Sequence, residues 1–270
     1  MIEGARRLSS RPSRRSARRA LRAAARVAAV AGALWPAVLA MAQGGQTDPI
    51  IRAQYGEPTA RYAHGVLGDA LEWGTLELSV DTCPGCAALR LARRVIRLPE
   101  TRVFEDLSPR IVEIDASGRR AALVVESDLR QGARMALYDG GGLIAATPFI
   151  GQSNRWLAPI GAGDLDGDGA VEFAYIDRPH LAKTLRIWRF EDGALREVAT
   201  LPGLTNHRIG WDHIPGGLRD CGAGPELIVA SGDWREVRAI AWSDGTYRSR
   251  ALGPYTDPSD LARALDCAFP

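Results

Sequence analysis

The sequence predicts an all-β fold: a small β-propeller of about four blades, each of four antiparallel strands, followed by a short C-terminal helix. Three observations predict it. Asp-Gly turns recur at Asp139-Gly140, Asp192-Gly193 and Asp244-Gly245, at spacings of 53 and 52 residues. Each stands between two short β-rich runs, the setting in which Asp-Gly forms a tight hairpin, because both residues tolerate positive φ. A proline then ends each unit, at Pro99, Pro148, Pro202 and Pro254, where a residue that cannot donate to a sheet ladder closes a strand. A repeat of this length with four short strands is one propeller blade, and propellers close with roughly four to eight.

The N-terminus comes first. Residues 1–26 hold nine arginines and one acid, Glu3; an apolar run from Val27 to Ala40 follows, and Ala40-Met41-Ala42 is a small-x-small site. Basic region, short apolar core and small-residue site define a secretory signal peptide over residues 1–42. The run of about 14 residues is short of the roughly 20 that span a bilayer, and no later stretch approaches that length. The expected chain is exported, periplasmic or extracellular, with no integral membrane segment after cleavage.

Without the leader's nine arginines and one glutamate, 25 basic side chains stand against 31 acidic ones, a net charge of −6. The basicity of the whole chain belongs to the leader. An acidic body gains no long-range attraction to nucleic acid or anionic membranes.

Residues 43–61 read as an N-terminal segment, 62–254 as the propeller and 255–270 as a tail. The blades cover about 62–100, 109–149, 157–203 and 211–254. The third is the most regular: Leu157–Gly163, Val171–Ile176, Leu185–Phe190 and Leu195–Thr200. In the first, Cys83-Pro84-Gly85-Cys86 stands where Asp-Gly is expected. In the tail, Ser259 is placed to cap a helix on which Leu261 and Leu265 share a face.

The four cysteines, an even number in an exported chain, read as disulfides. Pro84-Gly85 suits a type II turn, which brings Cys83 and Cys86 within bonding distance. That leaves Cys221 for Cys267, a bond that would pin the helix to the fourth blade and help hold the ring closed. A redox role for Cys83 and Cys86 is disfavoured, because such pairs open a helix.

Asp164, Asp166 and Asp168 alternate, with Gly169 next and Glu172 after it. Three carboxylates within five residues repel one another unless a cation gathers them. Ca²⁺ takes six to eight oxygens, and the carbonyl of Ala170 is a further donor. An EF-hand is excluded: its loop position 12 is Tyr175, and the flanks are β-patterned.

Asp-x-Asp-x-Asp-Gly-x-x-Glu between two strands, preceded by Ile160-Gly161-Ala162-Gly163, resembles the FG-GAP/VCBS repeat of integrin-α-like propellers. The resemblance implies Ca²⁺ between the first two strands of a blade, held by Asp164, Asp166, Asp168, Glu172 and the Ala170 carbonyl. The strong motif covers residues 158–177 and the weaker repeat 62–254. The second unit has Glu113, Asp115 and Ser117 at the carboxylate positions and Ala121 at the last; the fourth keeps only Asp220 and Glu226. Family propellers often have seven blades, so a four-bladed closure departs from the pattern.

Function is read from the faces. In a four-stranded blade the strand 1–2 loop and the strand 3–4 turn share one face; the strand 2–3 loops and the links between blades share the other. The second face gathers Arg155, Trp156, Arg178, His180, His207, Arg208, Trp211 and Trp234, rich in the residue types of binding hot spots. Trp156 and Trp211 stand at matching repeat positions, where packing between blades competes with recognition. No Gly-x-Ser-x-Gly, phosphate loop or His-Glu-x-x-His occurs. The expectation is a module that binds a protein, glycan or cell-surface partner; the alternative is a hydrolase or lyase acting on an extracytoplasmic polymer.

Overall fold

A computed structural model describes residues 48–269; the leader of residues 1–42 lies outside the described residues. The strands follow one another as four antiparallel units. The first is β1 (Ile50–Thr59), β2 (Glu72–Asp81) and β3 (Leu91–Arg97), with β2 in the middle. Residues 43–61, expected to precede the array, thus supply its first strand. In the second unit β4 (Arg102–Phe104) and β5 (Arg110–Glu113) lie end to end along β6 (Arg120–Asp128), and β7 (Gly132–Asp139) and β8 (Gly142–Ala146) follow. Pairing of Trp73 with Phe104 joins these two units into one eight-stranded sheet.

The third unit is an uninterrupted meander of β9 (Leu157–Gly163), β10 (Glu172–Asp177), β11 (Thr184–Glu191) and β12 (Ala194–Pro202). The fourth repeats the plan of the second. The short β13 (Leu204–Thr205) and β14 (Gly217–Asp220) share one side of β15 (Pro225–Ser231), then come β16 (Glu236–Ser243) and β17 (Thr246–Pro254).

Alternation along the middle strands decides the packing, because successive side chains point to opposite faces. On β6, Ala122 and Val124 face a core shared with Leu76, Leu78 and Val80 of β2, while Leu123 and Val125 face a core shared with Phe173 and Tyr175 of β10. On β10, Ala174 and Ile176 turn the other way, onto Leu227 and Val229 of β15. Ile228 then points beyond the array, where it meets α1 (Ser259–Leu265) through Leu261 and Ala264. Consecutive units are thus glued pairwise. Among the described residues, no apolar cluster joins the strands of the fourth unit to those of the first. The outward face of the first unit is largely polar: Glu77 of β2 meets Gln54 of β1 and Arg93 of β3, with Leu91 and Val95 exposed beside them.

The hairpin tips split into two kinds. Asp192-Gly193 and Asp244-Gly245 are two-residue turns with both residues at positive φ (52° and 76° in each). In the second unit Asp139 is itself paired, with Gly142, so the turn is Gly140-Gly141, and Asp139 accepts the Gly141 N–H at 2.8 Å.

Both expected disulfides are present, Cys83–Cys86 at the β2–β3 tip and Cys221–Cys267 between the β14–β15 loop and the residues after α1. The second holds the helix against the outer face of the fourth unit. Ser259 does not cap this helix: its first turn is organised by Asp260, whose Oδ2 accepts the Thr256 N–H at 2.6 Å and the Thr256 hydroxyl at 2.7 Å.

Candidate functional site

At the end of the strands that carries the Asp192 and Asp244 turns, residues 164–171 connect β9 to β10. Gly167 and Gly169 sit at φ of +80° and +88°, values that let the chain double back within six residues. Asp164 organises the loop: its Oδ1 accepts the N–H groups of Gly167 (2.8 Å) and Asp168 (3.1 Å), and its Oδ2 that of Gly169 (3.0 Å). Glu172, fully buried at the start of β10, accepts the Leu165 N–H at 2.8 Å. Asp164, Asp166 and Glu172 each bring a carboxylate oxygen within 4.8 Å of the others. This hard-oxygen cluster could hold a metal ion. Asp168 lies further out, 46 % exposed, with its Oδ1 on the N–H of Ala170.

A cation already stands against the cluster. Arg189, the cross-strand partner of Glu172, reaches Glu172 at 2.6 Å, Asp166 at 2.5 Å and Asp168 at 2.7 Å. One guanidinium offsets part of the charge of four carboxylates and leaves Asp164 untouched. Burial pushes the Glu172 carboxyl up, against the pull of the Leu165 N–H and Arg189. The N–H of Ala170, together with Arg189, holds Asp168 below the usual carboxylate range.

The corresponding loops each keep one aspartate that accepts N–H groups of its own loop, without the cluster. Asp115 accepts the Ser117 N–H at 2.9 Å, and Asp220 that of Gly222 at 2.7 Å. In the fourth unit Glu226 is held by Arg219 and Arg250, at 2.7 and 2.6 Å.

The opposite strand ends carry the arginine, tryptophan and histidine residues. Trp211 and Trp234 meet edge to face at 5.4 Å, Trp234 packs on Tyr255 at 5.1 Å, and His213 stacks on Trp211 at 4.8 Å. Exposed Arg208 lies 4.6 Å from the Trp234 ring centre and 5.8 Å from that of Trp211. Trp234 has φ of 61°, a conformation that costs a bulky side chain roughly 1–3 kcal/mol. The turn enforces it: Trp234 N–H donates to the Ser231 carbonyl, and the Ser231 hydroxyl accepts the N–H groups of Arg235 and Glu236.

The remaining candidates divide. Trp156 is buried and donates from Nε1 to the Glu105 carbonyl at 2.9 Å, so it forms a wall of this region and not its surface. Arg178 is forked onto Asp177 at 2.8 and 3.0 Å. His180 and His207 are hydrogen-bonded to each other at 3.2 Å. Burial lowers both, His180 to about 4, where His207 adds to the effect.

Four residues were not singled out for these roles in the sequence: Arg189, Glu105, His64 and Tyr255. Arg189 becomes visible once the β10–β11 register is known. Glu105 and His64 lie 41 residues apart in no motif, and only the fold brings them together. A wider cleft of about 820 Å³ lies between the third and fourth units, but its arginine, Arg238, is already bound to Glu236 and Ser249. Among the described residues, no helix is long and apolar enough to cross a membrane. Comparison with protein-family models and with curated proteins found no match.

Proposed function

We propose that this chain is an exported binding module of the FG-GAP/VCBS type, a propeller-like array of four blades that holds Ca²⁺ in its third blade and recognises a protein, glycan or cell-surface partner on the opposite face. The observation that carries the recognition half is the Arg208–Trp211–Trp234–Tyr255 cluster. A tryptophan held in a left-handed conformation is retained against its cost where the ring's position matters, and strained residues of this kind concentrate at ligand clamps. Arginine stacked on two tryptophans presents a cation and flat apolar surface together, the pairing that dominates binding hot spots.

The ion half rests on the donor set. Asp164, Asp166 and Glu172 supply converging oxygens, which suit a hard cation such as Ca²⁺. Arg189 fits this reading as a partial substitute, a single positive charge bound to two of these carboxylates, Asp166 and Glu172, and to Asp168 beside them. When bound, the ion would supply charge neutralisation and a rigid loop; no chemistry is asked of it. The leader motivates export, and the two disulfides are compatible with an oxidising compartment.

A glycan and protein array tests the recognition half. The wild-type protein is expected to retain a partner that the double variant Arg208→Ala, Trp234→Ala, still folded by circular dichroism, loses. If the double variant binds as wild type while substitutions at Asp192 and Asp244 abolish binding, recognition belongs to the other face.

A further inference from the structure

Beside the tryptophan cluster is a cavity of about 260 Å³, close to the lower end of small-ligand pockets. Links and loops from across the array build it: His64 from the β1–β2 connection, Arg155 and Trp156 from the β8–β9 link, His180 and Leu181 from the β10–β11 loop, and Ile209 from the β13–β14 link.

Each imidazole on its wall has one nitrogen tied from behind. His64 Nδ1 lies 2.5 Å from Oε1 of Glu105, a fully buried carboxylate whose other oxygen accepts the Ser127 hydroxyl. His180 Nε2 lies 3.2 Å from His207 Nδ1, and His207 Nε2 lies 3.0 Å from the Trp211 carbonyl. A carbonyl only accepts, so neutral His207 carries its proton on Nε2 and its Nδ1 is bare. His180 must then donate from Nε2, which leaves its own Nδ1 bare. His64 Nδ1 is taken up by the Glu105 carboxyl, which leaves Nε2 as the ring atom open to a ligand. The polar atom left to His180 is therefore a hydrogen-bond acceptor, and His64 adds a second ring nitrogen. The low pKa of His180, about 4, keeps it in this state at neutral pH.

The charge and the apolar walls complete the description. Arg155 makes one hydrogen bond, to the Asn154 carbonyl at 2.9 Å, and no ion pair among the described residues. Its neighbour Arg178, by contrast, is committed to Asp177. Leu181 and Ile209 are 64 % and 71 % exposed, unusual for aliphatic side chains beside a cavity lined by a buried indole. The cavity thus offers a cation free to take a carboxylate, imidazole nitrogens for hydroxyl groups, and hydrocarbon for a ring or chain.

We propose that this cavity binds a hydroxylated carboxylate, either a free hydroxy acid or the uronic acid unit of an acidic glycan. The carboxylate meets Arg155, one hydroxyl donates to His180 Nδ1 and another hydrogen-bonds to His64 Nε2, and the carbon skeleton lies against Trp156, Leu181 and Ile209. This deepens the recognition reading of the face, and it is tested with residues other than Arg208 and Trp234.

The test is calorimetric titration of the full protein with D-glucuronate, D-galacturonate, tri-galacturonate and 3-hydroxybutyrate, against glucose, galactose and butyrate as partners lacking the carboxylate or the hydroxyl. At least one hydroxy acid is expected to bind in the millimolar range or tighter, and its neutral or deoxygenated counterpart roughly tenfold more weakly. Arg155→Ala, a substitution of a half-exposed side chain, and Leu181→Asp at the rim are each expected to weaken binding by roughly tenfold without moving the melting temperature. Binding of the trimer alone assigns the ligand to a glycan; equal binding of the monomer assigns it to a free acid. Silence from all four acids up to about 10 mM overturns the proposal, as does equal binding of glucose or butyrate, or indifference to both variants. Uronate binding that survives the Arg208→Ala, Trp234→Ala double variant but not Arg155→Ala separates this cavity from the wider recognition surface.

Discussion

Trp234 shows how much a single backbone angle says. At φ of 61° any side chain with a Cβ costs roughly 1–2 kcal/mol more than glycine. Trp234→Gly and Trp234→Ala both delete the indole, so the loss of packing cancels between them. The glycine variant is therefore expected to be the more stable by about 1 kcal/mol, read from denaturant midpoints; equal stability would mean that the turn relaxes once the ring is gone. Glu72 is a second case. It is 3 % exposed, and burial, with Glu105, Asp69 and Asp106 nearby, pushes its carboxyl up to about 9. An unfolded glutamate titrates at about 4.3. Between those values the folded chain holds the extra proton, so this group's contribution to stability falls as pH rises from 4.3 towards 9. Glu72→Gln removes the effect, with a gain on the order of 5 kcal/mol at pH 8 and little at pH 4. Equal urea midpoints for variant and wild type at pH 8 would contradict it.

Elements inherit their roles from alternation and from the ends of strands. The middle strands β6, β10 and β15 each feed two cores, and the last outward face needs a cover, which α1 provides. The disulfide that holds it, Cys221–Cys267, spans 46 residues, whereas Cys83–Cys86 spans 3. On chain entropy alone the two are worth about 4 and under 2 kcal/mol. Replacing Cys221 and Cys267 by alanine should lower the melting temperature far more than replacing Cys83 and Cys86, and should expose Ile228 and Val237 as the helix detaches. The reverse order in a thermal scan would show that the helix is held by its own packing. The hairpins were legible in the sequence because Asp-Gly has few other uses. The split strands β4/β5 and β13/β14 were not, since no local signal marks an interruption that depends on what Glu105 and His207 meet elsewhere. The β1 strand was hidden for a similar reason: its pairing with β2 crosses residues 60–71, a connection too long for a tight-hairpin signal to mark.

At the scale of the molecule, the repeat made the all-β class and the pairwise stacking readable, and it sorted the loops onto two ends. The acidic loop was legible as a cluster because its carboxylates are adjacent in sequence. Its arginine was not, and neither was the cavity lined by His64, Trp156 and His180, whose parts come from segments far apart in the chain. What closes or caps the array also lay beyond the repeat, in the polar outer face of the first unit and in α1. The account assigns the two ends different work, an ion at one and recognition at the other. The claim that the third unit is a calcium-binding repeat is tested most directly by scanning calorimetry of the purified protein in excess Ca²⁺ and in chelator, with Asp166→Ala alongside. At a hundredfold excess over Kd the ion should add about 2.7 kcal/mol, raising the melting temperature of the wild type and leaving that of Asp166→Ala unmoved. Superimposable wild-type transitions with and without Ca²⁺ would contradict the claim and leave Arg189 as the loop's own permanent counter-ion.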